Sequence, residues 1–349
     1  MPVISKRKVF KFWVKFKPLF LIIIFLIFLW EILFFLKPVF DFAREHDVGP
    51  TFLWSLLLDR NSSLKKTGVY TNFLLLGAGG ENHQASDLTD TMIFLSFNFE
   101  DKKTFLVSLP RDIWSPILQD KINSAYHYGE EKKTGGGLVL AKMVAEEVLG
   151  QPIHYAFLVD FSSFEKAINI LGGVDVEIER SFDDFNFPIQ GKENDDCEGD
   201  SELKCRYEHI HFEKGWEQMN GERALKYVRS RNAEDEEGSD FARAARQQKL
   251  LLAFKDRVLS REIIFNLTKI KQLAEILSEG VEADINLAEA CFLGKFIVRM
   301  KQDNFEKLVL EEDLFITPPL WEYGKWVLVP PGEDFTLIHE YIEEKFNSF

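Results

Sequence analysis

Four arginines lie close together in the segment YVRSRNAEDEEGSDFARAARQQ, which spans residues 227 to 248. Guanidinium groups are planar, permanently charged and able to hold phosphate oxygens with paired hydrogen bonds. A helix that begins near Asp240 would carry Arg243, Arg246 and Gln247 on one face, at the end where the helix dipole attracts anions. Four arginines suit a diphosphate better than a lone carboxylate. The segment therefore predicts an anion site.

The other two arginines, Arg229 and Arg231, are two positions apart. On a helix they would point in different directions, and on an extended segment in the same direction. If both contact one ligand, the preceding helix must end near Tyr227. The alternative is that the arginines are solvated or paired with the acidic residues at 234–237, as is common for such clusters.

The overall charge restricts the class of ligand. The chain has 42 basic and 56 acidic residues, and a formal net charge of -14. This balance argues against a nucleic-acid binder that neutralises phosphates over a broad surface. With 349 residues and a hydrophobic fraction of 46%, the chain has ample material for a packed core. An anion must therefore be bound locally.

The N-terminal residues predict a membrane anchor. Residues 1–18 form a basic tail, and the run LFLIIIFLIFLWEILFFL at 19–36 is interrupted only by Glu31. Its length suits one crossing of the hydrocarbon core, and the basic flank favours a cytoplasmic N-terminus. A cleaved signal peptide is the alternative, but no good cleavage site follows. Residues 37–68 are expected to be a stalk and linker, and 69–349 an extracytoplasmic domain.

The folded part alternates between strand and helix patterns. Short apolar runs at 71–77, 91–98, 104–110 and 154–160 are typical of buried strands, and 136–150, 161–173 and 239–259 have helical spacing. Residues 181–215 are expected to form a surface loop or hairpin, and KWVLVPP a late strand before a final helix. The pattern indicates an α/β fold, specifically an α-β-α sandwich with a central mixed sheet.

Several ordered motifs resemble the LytR-CpsA-Psr family. They are LLLG, TDT, SLPRD, KINSAY, LGGVDVEI, MNGERALKYVRSR and SDFARAARQQ, and they cover about residues 70–260, which leaves 261–349 as a C-terminal extension. The resemblance implies a transferase in the cell membrane with its catalytic domain outside. Such phosphotransferases move a glycopolymer, for example a teichoic acid or capsular polysaccharide, from a polyprenyl-pyrophosphate carrier onto peptidoglycan through a phosphodiester bond.

The resemblance also assigns site residues. Six residues match positions that would bind the pyrophosphate: Arg111, Lys121, Arg229, Arg231, Arg243 and Gln247. Arg246 is expected to support them. Asp90 in TDT matches an acidic residue near a bound Mg²⁺ or Mn²⁺, and Asp240 an aspartate beside the arginines. Asp90, Asp240 and Arg111 are the candidate catalytic residues. Either aspartate could serve as the base, although a helix cap explains Asp240 as well.

The chain departs from the family at its metal site. Gly79 stands where the family has a metal-binding aspartate, so the metal would rest on Asp90 and the pyrophosphate, or on Asp87 or His83 from the following loop. This departure leaves two other functions open, a non-catalytic polyprenyl-pyrophosphate binding protein and a polyprenyl-pyrophosphate hydrolase. A DNA-binding regulator is disfavoured, because the expected cytoplasmic tail has fewer than about twenty residues.

The three cysteines allow one disulfide. Cys197 and Cys205 flank a short polar loop and would pair in an oxidising compartment, which leaves Cys291 over.

Overall fold

The computed structural model describes residues 64–79, 87–192, 194–298, 300, 304–332 and 334–348. The expected cytoplasmic tail, membrane segment and most of the stalk lie outside these ranges. Within them, no helix is both long enough and apolar enough to cross a bilayer. Of the described residues, those within 64–286 and 293–348 form one compact unit, and Leu287–Phe292 are grouped outside it.

The strands of the described residues are, in chain order, β1 Tyr70–Ala78, β2 Thr89–Asn98, β3 Lys103–Ser108, β4 Trp114–Ser115, β5 Asp120–Lys121, β6 Tyr155–Asp160, β7 Val174–Ile178, β8 Phe182–Pro188, β9 Tyr207–Phe212, β10 Gly215–Met219, β11 Val281–Ala283 and β12 Phe305–Val309. The α-helices are α1 Ala125–Lys132, α2 Gly137–Leu149, α3 Phe161–Leu171, α4 Gly221–Arg229, α5 Asp240–Val258, α6 Arg261–Ile264, α7 Leu267–Gly280, α8 Leu287–Ile297, α9 Leu320–Tyr323 and α10 Thr336–Ser348.

A six-stranded mixed sheet lies at the centre, with the strand order β11-β6-β1-β2-β3-β12. β1, β2 and β3 form an antiparallel meander, whereas β6 pairs with β1, and β12 with β3, in parallel. Parallel neighbours need crossover connections, and the helical segments between β3 and β6 supply one of them. The mixed α/β fold expected from the sequence is thus confirmed.

Alternate residues of the strands face opposite layers, because side chains alternate along a strand. Leu74 and Phe94 are fully buried in a core that also includes Ala141 and Val144 of α2 and Ile338 of α10. Burial of each large side chain contributes about 1.5–3 kcal/mol relative to exposure. Helices therefore cover this face, and their packing fixes the sheet that carries the site.

The other face of the sheet meets α5. Leu75 of β1 and Leu95 of β2 line an apolar cavity together with Leu251 and Leu252 of α5. The long helix that carries the arginine segment is thus laid directly over the central strands.

A hairpin of β8 and β9 fills the predicted surface region, and a disulfide between Cys197 and Cys205 crosses its end loop. The predicted pairing of these cysteines is therefore present, with Cys291 as a free thiol. The hairpin core, formed by Phe182, Phe187 and Phe212, packs with residues of α4 and α5.

Two expectations about the elements were wrong. KWVLVPP forms only isolated bridges, of Leu328 with Ile113 and of Val329 with Ile316, because it runs beside loops rather than beside a strand of the sheet. One edge of the sheet is instead β12, for which no strand was predicted. The helix α4 also extends to Arg229, although a common ligand for Arg229 and Arg231 was expected to require a helix end near Tyr227.

Candidate active site

Asp90 and Arg111 meet because β2 and β3 are antiparallel neighbours. Ile93 pairs with Ser108, so the start of β2 and the chain leaving β3 lie at the same edge of the sheet. There, Nη1 of Arg111 donates a hydrogen bond to Oδ1 of Asp90, and its Nε donates to Asp112 at 3.3 Å. Burial lowers the pKa of Arg111, but the nearby carboxylates outweigh burial and raise it. The guanidinium therefore stays charged at the sheet edge.

The helix α4 delivers Arg229 to the same place. Asn220 caps this helix by accepting a hydrogen bond from the backbone N–H of Arg223 at 2.9 Å. The helix ends at Arg229 because Ser230 leaves helical geometry, with ψ 133°. Arg231 therefore follows on an extended turn, and both arginines reach one cavity although Arg229 is still helical.

Asp184 of β8 holds this turn in place and was missed in the sequence. It is fully buried and accepts hydrogen bonds from the hydroxyl of Ser230 at 2.7 Å and the backbone N–H of Arg231 at 3.3 Å. The signal that could have identified it is an acid at an inward-facing position of an alternating strand. Asp184 therefore positions Arg231 and does not line the cavity.

The helix α5 supplies the other half of the site. Ser239 is its cap and accepts from the backbone N–H of Ala242 at 3.1 Å, so Asp240 is the first helical residue and not the cap. Asp240 forms an ion pair with Nη1 of Arg243 at 2.8 Å. Arg243 is only 6% exposed, and burial, together with the neighbouring charges of Arg111 and Arg231, lowers its pKa. An anion between these guanidiniums would relieve that repulsion.

Together these elements enclose a cavity of about 140 Å³, here called the arginine cavity. Its polar lining comes from six side chains: Asp90, Arg111, Arg229, Arg231, Arg243 and Gln247. Its apolar lining comes from α3, β8 and α4: Phe161, Phe187, Pro188 and Val228. Asp112 and Asp240 pair with Arg111 and Arg243 from outside the lining, so four guanidiniums meet three carboxylates and an excess of positive charge remains, which favours an anion.

Arg246 was predicted to support the pyrophosphate, but the structure turns it away from the arginine cavity. It is 2% exposed, and its guanidinium donates to the carbonyls of Tyr227, Ser230 and Glu237 and to the carboxylate of Glu237. Every nitrogen of the guanidinium is thus used within the protein. Arg246 lies one residue before Gln247, so its side chain points toward the core. Its hydrogen bonds to Tyr227 and Ser230 link α5 to the end of α4.

Lys121 also lies outside the arginine cavity. Its Nζ donates to Asp112 at 2.5 Å, and it lines a larger cavity of about 490 Å³, here called the polar cavity. The lining of the polar cavity is Leu88, Asp90, Arg111, Asp112, Asp120, Lys121, Asn123, Ser124, His127, Tyr128 and Lys325. Asp90 and Arg111 are the two residues that both cavities share.

The expected metal ligands do not form a cluster of three among the described residues. Gly79 offers no side-chain ligand, His83 lies outside the described residues, and Oδ2 of Asp87 is hydrogen-bonded to Nδ1 of His127 at 2.6 Å. Among the described residues, the one group of three possible metal ligands is Asp195 with Cys197 and Cys205, and these cysteines form the disulfide. Asp90 is therefore the one carboxylate that the described residues place in the arginine cavity.

Two apolar cavities continue from the arginine cavity. The nearer, of about 110 Å³, shares Phe161, Val228 and Gln247 with it. The farther, of about 330 Å³, shares Leu75 and Leu251 with the nearer one and runs between the sheet and α5. The shared residues arrange the three cavities in a row, with the charged end at the arginines and the apolar end at the sheet.

Comparisons with known proteins identify the family and the fold. The model of the LytR_cpsA_psr family matches residues 57–338. A relative from Bacillus subtilis (strain 168), described as the polyisoprenyl-teichoic acid–peptidoglycan teichoic acid transferase TagV, is 31% identical over 237 residues, which are 66% of this chain and 54% of that protein. TagT of the same strain, described as the same kind of transferase, is 28% identical over 65% of this chain and 64% of its own length.

Solved structures share the fold. The crystal structure of B. subtilis TagV has a TM-score of 0.56 and 24% identity, and the match covers 81% of this chain and 99% of that one. A structure of TagT bound to LIIa-WTA has a TM-score of 0.55 and 22% identity, covering 81% and 94%. The matches span between about half and two thirds of the curated relatives' own lengths.

Proposed function

The chain belongs to the LytR-CpsA-Psr family, and from this premise we propose that it transfers a glycopolymer from a polyprenyl-pyrophosphate carrier onto peptidoglycan through a phosphodiester bond. The curated relatives are described as transferases of teichoic acid, which makes an anionic wall polymer the first substrate to test. A capsular polysaccharide on the same kind of carrier presents the same pyrophosphate to the protein.

The observation that carries this proposal is the row of cavities. A polyprenyl pyrophosphate has a doubly phosphorylated head and a long apolar chain, and the row offers four arginines followed by two apolar cavities. Each sheltered charge-assisted hydrogen bond to the head contributes about 1.5–3 kcal/mol. Each methylene buried from the chain contributes about 0.8 kcal/mol. A free nucleotide or sugar phosphate would leave the apolar cavities unused.

The reaction is a displacement at phosphorus. A peptidoglycan hydroxyl forms a bond to the phosphorus that carries the glycopolymer, and the bond from that phosphorus to the bridging oxygen breaks, so polyprenyl phosphate leaves. The arginines of the cavity stabilise the negative charge of the transferred and leaving groups. Asp90 lines both cavities and Asp240 lines neither, which supports Asp90 as the carboxylate that takes the hydroxyl proton.

Asp90 is suited to bind a divalent metal ion together with the phosphates of the substrate. Mg²⁺ is commonly held by one or two carboxylates together with substrate phosphates and water, and Asp90 supplies one carboxylate. Asp90 would thus hold Mg²⁺ or Mn²⁺, which supplies further neutralisation of the pyrophosphate when bound. Oδ1 of Asp90 already accepts from Arg111, so the metal and the acceptor hydroxyl would share the remaining lone pairs of the carboxylate.

The proposed location is the outer face of the cell membrane. Residues 19–36 would span the bilayer once, and the six basic residues within positions 6–17 would keep the N-terminus cytoplasmic. The disulfide supports an oxidising surrounding for the folded domain.

The test uses the full-length protein in detergent micelles with Mg²⁺, a polyprenyl-pyrophosphate-linked oligosaccharide and a peptidoglycan fragment. The expected result is a new phosphodiester between the two saccharides, detected by mass spectrometry. Release of saccharide phosphate without coupling would assign a hydrolase instead. Tight binding of the carrier without turnover would assign a binding protein.

A further inference from the structure

The polar cavity adjoins the arginine cavity at the Asp90–Arg111 pair and is separate from the apolar cavities. It shares these two residues with the arginine cavity and no lining residue with either apolar cavity. Its volume of about 490 Å³ falls within the range of roughly 300–1,000 Å³ that is usual for small-molecule sites. The shared lining residues thus connect the cavities in the order apolar cavities, arginine cavity, polar cavity.

The polar cavity differs from the arginine cavity in the charge of its lining. The carboxylates of its lining are Asp90, Asp112 and Asp120, and its permanent cations are Arg111, Lys121 and Lys325, three of each sign. Asp112 binds both Arg111 and Lys121, and Asp120 binds Lys325. No positive excess remains for a second phosphate, and the paired donors and acceptors suit the hydroxyl groups of a neutral saccharide.

Asp120 organises the outer wall of this cavity. Its carboxylate accepts hydrogen bonds from Nζ of Lys325 at 2.6 Å, the hydroxyl of Tyr128 at 2.7 Å and the backbone N–H of Lys121 at 2.7 Å. Burial raises the pKa of Asp120, but these hydrogen bonds outweigh burial and lower it. Lys325 and Tyr128 are therefore held in fixed positions before any ligand arrives.

The C-terminal extension contributes to this wall and is tied to the loop after Arg111. The backbone N–H of Leu328 donates to the carbonyl of Asp112, and that of Trp114 to the carbonyl of Leu328, each at 2.9 Å. Trp326 is 42% exposed, and Nζ of Lys121 lies 5.8 Å from its ring centroid. An exposed aromatic ring beside ordered polar groups is suited to packing against a sugar ring.

Displacement at phosphorus needs the entering and leaving oxygens roughly in line. If the proposed function holds, polyprenyl phosphate leaves toward the apolar cavities, so the entering hydroxyl approaches from the opposite side. We infer that the polar cavity binds the acceptor saccharide, and that Asp120, Tyr128 and Lys325 hold it with one hydroxyl directed at Asp90. The hydroxyl oxygen then bonds to phosphorus, its proton passes to Asp90, and the bond to polyprenyl phosphate breaks.

The test measures acceptor and donor separately with the full-length protein. The variants are Lys325→Ala and the conservative Tyr128→Phe, and the matched control is Lys271→Ala, an exposed lysine paired with Glu275 on α7. Lys325→Ala should raise the KM for a soluble peptidoglycan oligosaccharide at least tenfold and leave the KM of the polyprenyl-pyrophosphate donor unchanged. Tyr128→Phe should act in the same direction with a smaller effect. An unchanged acceptor KM, or a raised donor KM, would overturn the inference.

A binding measurement keeps the inference separate from the proposed function. Calorimetry with the peptidoglycan oligosaccharide alone should show binding to the wild type and to Lys271→Ala, and at least tenfold weaker binding to Lys325→Ala. This result would support the cavity assignment even if no transfer occurs. Failure of the wild type to bind, or equal binding by all variants, would reject the assignment even if transfer does occur.

Discussion

Asp90 and Arg111 form an ion pair that lines the arginine cavity on one side and the polar cavity on the other. Arg111 uses different nitrogens for Asp90 and Asp112, so its orientation is set by two carboxylates at once. A phosphorus atom bound by the arginines and a hydroxyl in the polar cavity would meet at this pair. Under the proposed function, the pair is where both substrates would be brought together.

Replacement of Arg111 by lysine should lower kcat while keeping the charge. A lysine ammonium cannot reproduce the planar fork that binds two carboxylates and faces a phosphate. Loss of one such preorganised donor costs about 10²–10³ in kcat. The measurement is the transfer rate at saturating donor and acceptor, with thermal unfolding as the check on folding. A fully active Arg111→Lys enzyme would show that charge alone is enough.

Truncation of either of two arginines in the cavity, Arg229→Ala or Arg243→Ala, should weaken polyprenyl-pyrophosphate binding roughly 10- to 100-fold. The estimate follows from the loss of one charge-assisted hydrogen bond of about 1.5–3 kcal/mol. Calorimetry gives the affinity, and Arg206→Ala, which removes an arginine from the exposed end of the hairpin, is the control. Wild-type affinity in both cavity variants would exclude the arginine cavity as the pyrophosphate site.

For Arg246, the structure predicts a loss of stability. Removal of its side chain leaves the buried carbonyls of Tyr227 and Ser230 without their donors and breaks the ion pair with Glu237. Removal of one partner of a buried ion pair lowers the free energy of unfolding by about 3–5 kcal/mol. A large fall in Tm is expected for Arg246→Ala, and also for Arg246→Lys. Unchanged stability combined with lost pyrophosphate binding would restore the ligand role expected from the sequence.

A bulky residue in the apolar cavities should affect long carriers selectively. Leu251→Trp fills space where the nearer and farther cavities meet. We expect affinity for a long polyprenyl pyrophosphate to fall at least tenfold, because two or more methylenes lose burial worth about 0.8 kcal/mol each. Affinity for a two-isoprene pyrophosphate should change little. Leu337→Trp, at a 44% exposed position of α10, is the control. Equal losses for both ligands would contradict the assignment of the chain-binding path.

The cap of α3 should give a pH-dependent contribution to stability. Asp160 accepts hydrogen bonds from the backbone N–H of Ser163 at 2.8 Å and the hydroxyl of Ser162 at 2.6 Å. Burial raises the pKa of Asp160, but these hydrogen bonds outweigh burial and lower it. The folded-state pKa thus lies below the unfolded one. The stabilisation is full above the unfolded pKa of about 3.9 and is lost as the pH falls through the folded pKa.

Asp160→Ala should therefore destabilise the protein by about 1 kcal/mol at pH 7. The difference in stability from the wild type should shrink as the pH falls below about 4. Thermal unfolding followed over this pH range measures both effects. Asp160→Asn caps the helix without titrating, so its advantage over Asp160→Ala should persist in acid. A wild-type advantage that is constant with pH would show that the ionised carboxylate is not what stabilises α3.

Local patterns were enough to predict most elements of the fold. Apolar strand runs, capping residues and helical spacing depend on neighbours in the chain, which is why β1, β2, β3 and α5 lie close to their predicted positions. The late strand and β12 were not predicted correctly, because Leu328 bridges to Ile113 and β12 pairs with β3, in both cases partners far away along the chain.

The sequence by itself determined which chemistry is available: the arginine pairs, the acids at positions 90 and 240, the disulfide and the missing carboxylate at Gly79. Only the tertiary structure decided how these groups are used. Arg243 and Arg246 are three positions apart on one helix, yet one lines the arginine cavity and the other is bound entirely by protein carbonyls and Glu237. Helical spacing places both near one face, but the neighbouring α4 and hairpin determine which of them meets a cavity. Lys325 likewise reaches the site only because the extension folds back beside Asp112.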